Sequence, residues 1–570
     1  MSIEKLLIVG GVAGGASAAA RARRLDEGCE IILFERGPDI SFANCGLPYH
    51  IGGTIAERDK LLVTTPAAMV EKFNIDVRTQ NEVTAIHRDA KQISVRNLRT
   101  GEVYTETYDK LVLSPGAAPV RPPIPGIDNP RVMILRNLDD MDRIMKQMEG
   151  KQSVAIIGGG YIGLEMAEAA RERGLAATLI ELAPQVMGPA DPEMATAIHM
   201  ELKQFGVSLK LETSVTAFAD VERGLELSLS DGRKMVVDLA ILAIGVKPES
   251  TLATQAGLDT GFTGGIKVDA HMRTSDPDIY AVGDAVEVTD FVTGQPALIP
   301  LAGPANRQGR IAADHIFGRT STYKNTQGTA ICKVFNMAIG MTGLSEKTAK
   351  RQGIAYERIY VHPSSHASYY PGSHPISLKL LFSPVDGRVL GAQAVGADGI
   401  DKRIDVLAVA IRAGLTVYDL EEMELCYAPP YGSAKDPVNY AGFVAANILR
   451  GDAKQFHVDE ALQPGNRQQL LDVRNPEELA GGTIPGAINL PLGQLRSRMD
   501  GLDREREYLI FCQVGLRGYL ACRILSQNGF ACRNLSGGYK TYLMATAHLP
   551  ACFPEKETTT DDPGEHPVKG

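Results

Sequence analysis

The sequence predicts an α/β protein, and two repeated local patterns carry that prediction. A strand at 4–10 runs into a glycine-rich turn and an alanine-rich helix at 14–26. The same order returns as a strand at 153–158 and a helix at 161–173. A strand, a glycine turn and a helix in succession are typical of a βαβ unit, so each pattern predicts a parallel sheet covered by helices.

Changes in pattern and composition divide the chain further. A stretch rich in Gly, Asp, Gln, Pro and Asn precedes a last αβ pattern, and the Thr-, Asp- and Pro-rich end predicts disorder. The predicted boundaries are a first sheet domain at 1–150 that returns at 271–324, a second sheet domain at 151–270, an α+β domain at 325–450, a linker at 451–466, an αβ domain at 467–550 and a disordered tail at 551–570.

Charge and composition exclude several classes of protein. The 570 residues carry a net charge of −9 with no basic domain or tail, which argues against a nucleic-acid partner. No uninterrupted apolar run is long enough to span a membrane. The eight cysteines form no C-x-x-C pair, so we expect neither a metal site nor a structural disulfide framework. A working thiol favours the reducing cytoplasm.

The second glycine turn is a full G-x-G-x-x-G motif made by Gly158, Gly160 and Gly163. Such a turn lets the backbone approach a pyrophosphate at the helix N-terminus. Glu181 ends the following strand, where an acid can bind a ribose hydroxyl, and Leu182 brings no positive charge toward a 2′-phosphate. We therefore predict NADH at this turn in preference to NADPH, which stays possible.

The first glycine turn departs from the motif, because Val12 replaces its middle glycine. An acid still ends the next strand, as ribose binding requires. A glycine turn can be only a tight connection, but two turns that are each followed by an acid argue against that reading. The candidate cofactor-binding residues here are Gly10, Val12, Ala13, Gly14, Gly15, Glu35 and Arg36.

Cys45 follows the first βαβ unit, and its nearest cysteines in sequence are Cys29 and Cys332. A redox-active thiol without a local partner closes no internal disulfide, so its oxidised form must carry an external thiol, a persulfide sulfur or a sulfenic acid. The alternative is a small buried core residue. The flanking Ser, Asn, Gly and Pro form no periodic core segment, which favours the redox role.

Cys512 opens a second thiol site in the last αβ domain. An apolar strand at 509–511 delivers it to a loop that ends at Arg517 and enters a helix. Backbone N–H groups at a helix N-terminus stabilise a thiolate or a terminal persulfide. The C-x₅-R spacing is also compatible with a phosphatase-like loop. We expect the helix to bury Leu520, Ile524 and Leu525, and we expect Cys522 and Cys532 to be non-catalytic.

Three segments resemble the flavoprotein disulfide reductases that have two dinucleotide-binding domains. Residues 274–284 resemble their second FAD motif, and segments at 114–117 and 243–248 resemble their linking motifs. Over residues 3–450 the resemblance implies two Rossmann-like domains, with FAD at the first turn and NADH at the second. It implies further cofactor contacts from Ala117, Gly245 and Asp284, the last on the ribityl chain.

The segment from Ser41 to Tyr49 resembles the single-cysteine branch of that family, in particular the coenzyme A-disulfide reductases. The resemblance implies that the Cys45 thiolate attacks a disulfide or persulfide and is then reduced by the flavin. A thiolate beside an electron-poor ring is expected to have a lowered pKa. NADH peroxidases carry His where this chain has Ala13, so peroxidase activity is a secondary reading.

Further positions match the coenzyme A site of the branch. The resemblance implies substrate contacts from Ser17, Arg21, Arg24, Ser41, Asn44, Lys72, Asn306 and Lys435. Cations among them could hold the nucleotide phosphates. The plainer reading is that the arginines solvate the end of a helix and complement its dipole. Asn306 stands where some relatives have His, which leaves its role open.

Tyr369 and Tyr427 resemble the paired active-site tyrosines that this family takes from the other subunit of a homodimer, so an α+β dimerisation domain is implied. A phenol beside the leaving sulfur could donate a proton. Packing of both tyrosines at an interface is the alternative.

The last domain resembles a rhodanese domain, from Asp472-Val473-Arg474 to Gly537-Gly538. These segments favour sulfur transfer by Cys512, with Arg517 shaping the loop. The fused domains predict an enzyme that passes electrons from NADH through FAD to Cys45, cleaves coenzyme A persulfide, polysulfide or disulfide, and releases hydrosulfide and coenzyme A. The rhodanese domain would relay sulfane sulfur. A plain coenzyme A-disulfide reductase and a flavin-thiol redox sensor are the alternatives.

Overall fold

A computed structural model describes residues 3–547, and the tail predicted at 551–570 lies outside them. The chain separates into two compact units between Leu449 and Arg450. None of the helices in the described residues is both long and apolar enough to cross a membrane.

The first unit begins with the first βαβ pattern and a small antiparallel sheet. Its elements up to residue 150 are β1 Lys5–Val9, α1 Ala13–Arg23, β2 Glu30–Glu35, α2 Leu47–Gly52, α3 Pro66–Phe73, β3 Asp76–Thr79, β4 Asn81–His87, β5 Gln92–Asn97, β6 Val103–Thr107, β7 Lys110–Leu113, β8 Ala117–Pro119, β9 Val132–Ile134 and α4 Leu138–Met148.

The second βαβ pattern follows, and the chain then returns to the first sheet. These elements are β10 Ser153–Ile157, α5 Tyr161–Glu172, β11 Ala176–Ile180, α6 Pro192–Gln204, β12 Ser208–Lys210, β13 Val215–Val221, β14 Gly224–Leu229, β15 Lys234–Val237, β16 Leu239–Leu242, β17 Val246–Pro248, α7 Thr251–Gln255, β18 Ile266–Lys267, β19 Ile279–Ala281, β20 Val286–Thr289, β21 Pro296–Ala297 and α8 Ala302–Ile316.

Two five-stranded sheets form the centre of these domains. The first has the order β19-β7-β1-β2-β3 and the second the order β12-β11-β10-β16-β9, and the paired strands in both are parallel. Leu6, Leu7 and Ile8 of β1 are all fully buried. A strand with both faces buried belongs to a parallel sheet that helices cover, as the sequence predicts.

The third domain is built on an antiparallel sheet of order β22-β23-β26-β25-β24, with helices packed against it. Its elements are β22 Ala330–Val334, β23 Met337–Gly343, α9 Glu346–Gln352, β24 Glu357–Val361, β25 Ser377–Phe382, β26 Val389–Gly396, α10 Ile400–Ala413, α11 Val417–Glu422 and α12 Pro437–Leu449.

A buried cluster of charges ties this third domain to the second sheet domain. The Lys379 ammonium on β25 lies 2.9 Å from Asp191, 2.5 Å from Glu193 and 2.6 Å from Glu346. Burial opposes its charge, but Tyr360 and the carboxylates outweigh that effect and raise the pKa of Lys379. The three carboxylates are close enough together to hold a metal, yet in this cluster the lysine occupies the place between them.

The second unit is a parallel sheet of order β27-β31-β30-β28-β29 with helices around it. Its elements are β27 Gln455–Phe456, α13 Val458–Leu462, β28 Gln468–Asp472, β29 Ile488–Asn489, α14 Leu492–Arg498, β30 Glu507–Phe511, α15 Leu516–Gln527, β31 Ala531–Leu535 and α16 Gly538–Thr546.

One predicted boundary is wrong. The segment 451–466 was expected to be a linker, but it contains β27 and α13, and β27 pairs with β31 in the sheet of the second unit. The Gly- and Pro-rich composition of the segment indicates a linker, and the strand that pairs with β27 lies about 80 residues further along the chain, so no local pattern predicts the pairing. The other predicted boundaries stay predictions.

Candidate active site

One cavity of about 1880 Å³ in the first unit is lined by both glycine turns and by Cys45. Pockets for a single small ligand hold roughly 300–1,000 Å³, so this cavity has room for more than one ligand. The cofactor candidates that line it are Gly10, Val12, Ala13, Gly14, Glu35, Arg36, Ala117, Gly158, Gly160, Glu181, Gly245 and Asp284.

In the first glycine turn, helix α1 packs very close to strand β1. Gly10 has a φ of 95°, and a Cβ there would lie 2.1 Å from the Ser114 carbonyl oxygen. A Cβ on Gly15 would lie 1.9 Å from the Gly10 carbonyl oxygen. Gly15 does not line the cavity, so we assign it to this packing and not to direct cofactor contact.

The second turn repeats the first. Gly158 has a φ of 106°, and a Cβ on Gly163 would lie 1.9 Å from the Gly158 carbonyl oxygen. Gly160 and Val12 each precede the helix with extended backbone, at φ values of −79° and −98°. Because neither φ is positive, a valine fits where the motif has its middle glycine.

The two acids also occupy equivalent positions. Glu35 accepts hydrogen bonds from the Gly11 N–H at 2.9 Å and the Gly37 N–H at 2.8 Å. Glu181 accepts them from the Gly159 N–H at 2.6 Å and the Ala183 N–H at 2.8 Å. Each carboxylate is thus fixed against its turn at the cavity wall, where the ribose of a dinucleotide would lie.

Asp284 lines the cavity and fits a ligand that carries hydroxyl groups. Burial raises the pKa of its carboxyl group. Within residues 3–547 the Asp284 carboxylate has no hydrogen-bond partner, and a buried polar group normally has one. The ribityl chain of FAD would supply such a partner. Arg36 is held by Glu249, with its guanidinium 2.6 Å from the carboxylate.

Cys45 is solvent-exposed in a short 3₁₀ turn, Asn44–Gly46, that leads into α2. Backbone hydrogen bonds hold the preceding segment in place. The Ser41 N–H donates to Gly11 at 2.9 Å, and the Ala43 N–H donates to Leu61 at 2.8 Å. The segment is therefore pinned to the first glycine turn, which presents the thiol to the cavity.

The protein groups around Cys45 disfavour its thiolate. Burial by the cavity walls, then the carboxylates of Glu165 and Asp284, raise the pKa of the thiol. The lowered pKa expected from the sequence depends on a bound flavin ring and stays a prediction, because the protein groups by themselves act in the opposite direction. A carboxylate near a thiol opposes its ionisation because both groups are negative.

Sequence reasoning missed Glu165, which lines the cavity on α5. Burial raises the pKa of this carboxyl group to about 7, and the Tyr49 hydroxyl donates to it at 3.2 Å. Glu165 can therefore hold or release a proton near neutral pH. Its position directly after the second glycine motif, inside the first turns of a helix, was the available signal.

The coenzyme A candidates fall into two groups. Ser41, Asn44 and Asn306 line the cavity with Cys45. Ser17 donates to Asn306 at 2.5 Å, which joins α1 to α8.

The cations among these candidates are more scattered. Arg21 lies 2.6 Å from Asp314 in a largely buried ion pair, which neither the phosphate-binding nor the helix-end interpretation predicted. Arg24 and Lys72 are exposed, and their charges are available to a ligand. Lys435 is exposed beside a buried ion pair in which Arg403 lies 2.8 Å from Asp436.

Tyr369 and Tyr427 come together although they are far apart in sequence. Their hydroxyl oxygens are 3.1 Å apart, and both side chains are exposed. A pair of exposed phenols in mutual contact can act on a site that lies outside their own subunit.

In the second unit, Cys512 is buried at the end of β30. Its sulfur accepts a hydrogen bond from the Gly515 N–H at 3.2 Å. Arg517 binds Glu478 through two nitrogens, each 2.6 Å from a carboxylate oxygen. This bond lowers the pKa of Glu478 to about 2.

The structure overturns one expectation about the helix that follows Cys512. Leu525 is buried as predicted, but Leu520 is exposed. Cys522 and Cys532 lie in or against the core, and the Cys532 thiol donates to the Cys522 carbonyl at 3.4 Å.

Three family models match the chain. One described as pyridine nucleotide-disulphide oxidoreductase matches residues 4–309, and the dimerisation domain of that family matches residues 329–436. A rhodanese-like domain matches residues 457–545. The first match spans more than half of the 570 residues, so the chain belongs to the pyridine nucleotide-disulphide oxidoreductases. The predicted fold class is confirmed.

Individual relatives resemble the chain over most of its length. The crystal structure of reduced Bacillus anthracis CoADR-RHD is 49% identical, with a TM-score of 0.93, and the match covers 96% of this chain and 99% of that one. A NAD-dependent persulfide reductase from A. fulgidus is 36% identical, with a TM-score of 0.89, over 94% of this chain and 100% of that one. The coenzyme A disulfide reductase of Staphylococcus aureus (strain JH9) is 37% identical over 446 residues, which is 78% of this chain and all of that protein.

We predict that Gly163→Ala destabilises the protein, because the new Cβ would press on the Gly158 carbonyl oxygen. Overpacking costs about 1–3 kcal/mol, which outweighs the gain of about 1 kcal/mol in helix propensity. The thermal midpoint without NADH should fall and the KM for NADH should rise.

The matched control is Gly160→Ala, where a Cβ meets no atom within 4 Å. This variant should keep the parent thermal midpoint and lose only NADH affinity, because its Cβ enters the cavity. Equal thermal midpoints for both variants and the parent would show that the close approach at Gly163 is not a constraint.

We predict that Glu165→Gln lowers the pKa of Cys45, because it removes a neighbouring negative charge. The rate of Cys45 alkylation by iodoacetamide in the reduced protein should rise relative to the parent. The difference should grow as pH increases through 7, where the parent carboxyl group ionises, and vanish in mild acid. Glu172→Gln, an exposed position on the same helix, is the control and should follow the parent curve.

Proposed function

We propose that the protein is a FAD-dependent NADH:coenzyme A persulfide, polysulfide and disulfide oxidoreductase that releases hydrosulfide and free coenzyme A. The observation that carries this proposal is the cavity itself. Both glycine turns line it, and Cys45 is the single cysteine among the described residues that does so. One thiol without a partner thiol suits a substrate that brings the second sulfur.

Cys45 performs the chemical step on sulfur. Its thiolate attacks the inner sulfur of coenzyme A persulfide, the S–S bond breaks, and hydrosulfide leaves with the electron pair of that bond. A mixed disulfide between Cys45 and coenzyme A results. When bound, FAD supplies the two electrons that come from NADH. With one proton these electrons return the Cys45 thiolate and free coenzyme A.

Glu165 is the group we assign to proton handling beside Cys45. With a pKa of about 7 it can take the proton of the Cys45 thiol before the attack and supply one to the coenzyme A sulfur when the mixed disulfide is reduced. Coenzyme A would lie along Ser41, Asn44 and Asn306. We assign its phosphate contacts to the exposed cations Arg24 and Lys72, since Arg21 is already paired.

The nucleotide, the assembly and the location complete the proposal. NADH is favoured over NADPH, because the Glu181 carboxylate would bind the ribose hydroxyls and Leu182 offers no positive charge to a 2′-phosphate. A homodimer would let Tyr369 and Tyr427 reach the partner's Cys45, and the dimerisation-domain match supports it. Free cysteines support a cytoplasmic location.

The rhodanese-like domain supports a relay of sulfane sulfur from Cys512 to coenzyme A or to Cys45. Persulfide reduction is favoured over plain disulfide reduction because a sulfur-carrying domain has little use for a disulfide. The name of the Staphylococcus aureus relative supports the plain coenzyme A-disulfide reductase as second candidate. A redox sensor would be distinguished by turnover of about once a minute or less.

We predict that Cys45→Ser abolishes NADH oxidation with every sulfur substrate, because no group remains to accept the sulfur. Cys512→Ser should slow only assays in which sulfur must first be loaded on the rhodanese-like domain. Steady-state rates with coenzyme A persulfide and coenzyme A disulfide measure both effects. Mass spectrometry of the native protein should show FAD, coenzyme A on Cys45 and added sulfur on Cys512.

Two outcomes would contradict this proposal. If a Cys45→Ser protein loaded with FAD turned over sulfur substrates at the parent rate, Cys45 could not be the reactive thiol and the proposal would be wrong. A Cys512→Ser protein with full persulfide turnover in every assay would remove the relay and leave the plain disulfide reductase.

We predict that Tyr369 and Tyr427 act on the partner's thiol. Protein with Cys45→Ser and protein with Tyr369→Phe and Tyr427→Phe should each have low activity. Mixed dimers of the two should recover activity at one of their two sites, because that site joins an intact Cys45 to intact tyrosines. Absence of recovery in verified mixed dimers would place the tyrosines in their own subunit's site or outside catalysis.

A further inference from the structure

The rim around Cys512 is apolar. Val514, Leu516 and Leu520 have exposed fractions of 40%, 50% and 42%. Leu516 and Leu520 are four residues apart on α15 and therefore lie on one face of the helix. The loop that presents the sulfur thus offers side chains that suit a hydrocarbon or amide chain better than a small hydrated anion.

The charges beside Cys512 are already paired. Arg517 interacts electrostatically with the Cys512 sulfur, but two of its nitrogens bind Glu478 at 2.6 Å. Arg474, which donates to Gln513 of the loop at 3.3 Å, is buried in an ion pair with Asp472 at 2.6 Å. Each of these cations therefore faces a carboxylate, and little positive charge is left for an incoming anion.

We propose that the Cys512 loop takes its sulfur from an organic persulfide carried on an uncharged arm and rejects the inorganic dianion thiosulfate. Glu478 determines this specificity, because it cancels the charge of Arg517. The apolar rim of Val514, Leu516 and Leu520 seats the arm. This inference rests on the proposed function, in which coenzyme A carries the sulfur.

The chemistry balances for either donor. With an organic persulfide anion, the Cys512 thiolate attacks the outer sulfur, the S–S bond breaks, and the organic thiolate leaves with its electron pair. With thiosulfate the same attack releases sulfite. Both routes give the Cys512 persulfide anion, so the donors differ only in the charge and shape that the loop must accept.

A further cation, Lys540 on α16, lies next to the Cys512 loop. The Lys540 N–H donates to the Gln513 carbonyl at 2.9 Å, and burial lowers the pKa of its ammonium group. Arg517 interacts with the Cys512 sulfur. We therefore do not assign to Lys540 a role in choosing between the organic persulfide and thiosulfate. The variant Lys540→Met tests that assignment.

The test measures loading of Cys512 without NADH. Full-length, FAD-loaded protein with Cys45→Ser is incubated with equal concentrations of thiosulfate or pantetheine persulfide. Sulfur on the Cys512 peptide is followed by mass spectrometry, with Cys512→Ser as blank. We expect pantetheine persulfide to load Cys512 at least about tenfold faster, because Arg517 and Arg474 are already paired with carboxylates and offer a dianion little charge.

Variants of the loop separate charge from shape. Glu478→Gln, which frees Arg517, and Leu516→Arg should each raise loading from thiosulfate about five- to tenfold. Leu516→Gln adds polarity without charge and should slow only the pantetheine persulfide. Lys540→Met should leave the ratio of the two donors unchanged.

Several outcomes would overturn the inference. Parent protein that loads equally fast from thiosulfate would contradict it, as would a Glu478→Gln protein with unchanged donor preference. A Leu516→Gln protein that loads like the parent would show that something other than the arm covers the rim. Because NADH is absent, failure of the proposed reductase activity would appear in turnover assays and not in this one.

Discussion

The two dinucleotide turns of the first unit and the Cys45 segment beside them depend on the close approach of a helix to a strand. Gly15 against Gly10 and Gly163 against Gly158 leave no room for a side chain. Because α1 and α5 can therefore lie against their strands, their N-termini open on the shared cavity. The Ser41 N–H donates a hydrogen bond to Gly11 of the first turn and so attaches the Cys45 segment to it. The position of the thiol therefore also depends on the packing of that turn.

The constraint also explains the electrostatics around Cys45. Helix α5 lies against its strand and places Glu165 at the cavity wall, and the 3₁₀ turn after β19 places Asp284 there. Both carboxylates raise the pKa of the thiol. A raised pKa lowers the thiolate fraction and so slows unwanted oxidation, since the thiolate is the reactive form. Glu165, with its pKa near neutrality, is the natural exchange partner for that proton.

The local parts of this arrangement could be predicted from the sequence, and the long-range parts could not. Strands β1 and β10 lie within the ranges that the sequence predicts, and both glycine turns precede their helices as expected. The partner of Arg21 is Asp314, 293 residues further along the chain, and no local pattern indicates it. The same holds for the pairing of β27 with β31 and for the exposure of Leu520. The glycine motif does not indicate Glu165, because its spacing specifies the turn and not which helix residue reaches the cavity.

The two sulfur sites differ in a way that bears on the direction of sulfur flow. Carboxylates around Cys45 oppose a standing negative charge on its sulfur, which disfavours a persulfide anion there and suits the neutral mixed disulfide of the proposed mechanism. At Cys512 the Gly515 N–H donates to the sulfur and no carboxylate of the described residues acts on it alone, since Glu478 is paired with Arg517, so a persulfide anion is opposed less there than at Cys45. A terminal persulfide is an anion near neutral pH, so it is better held at Cys512 and better consumed at Cys45. In the proposed relay, this electrostatic difference favours sulfur loading on Cys512 and hydrosulfide release at Cys45.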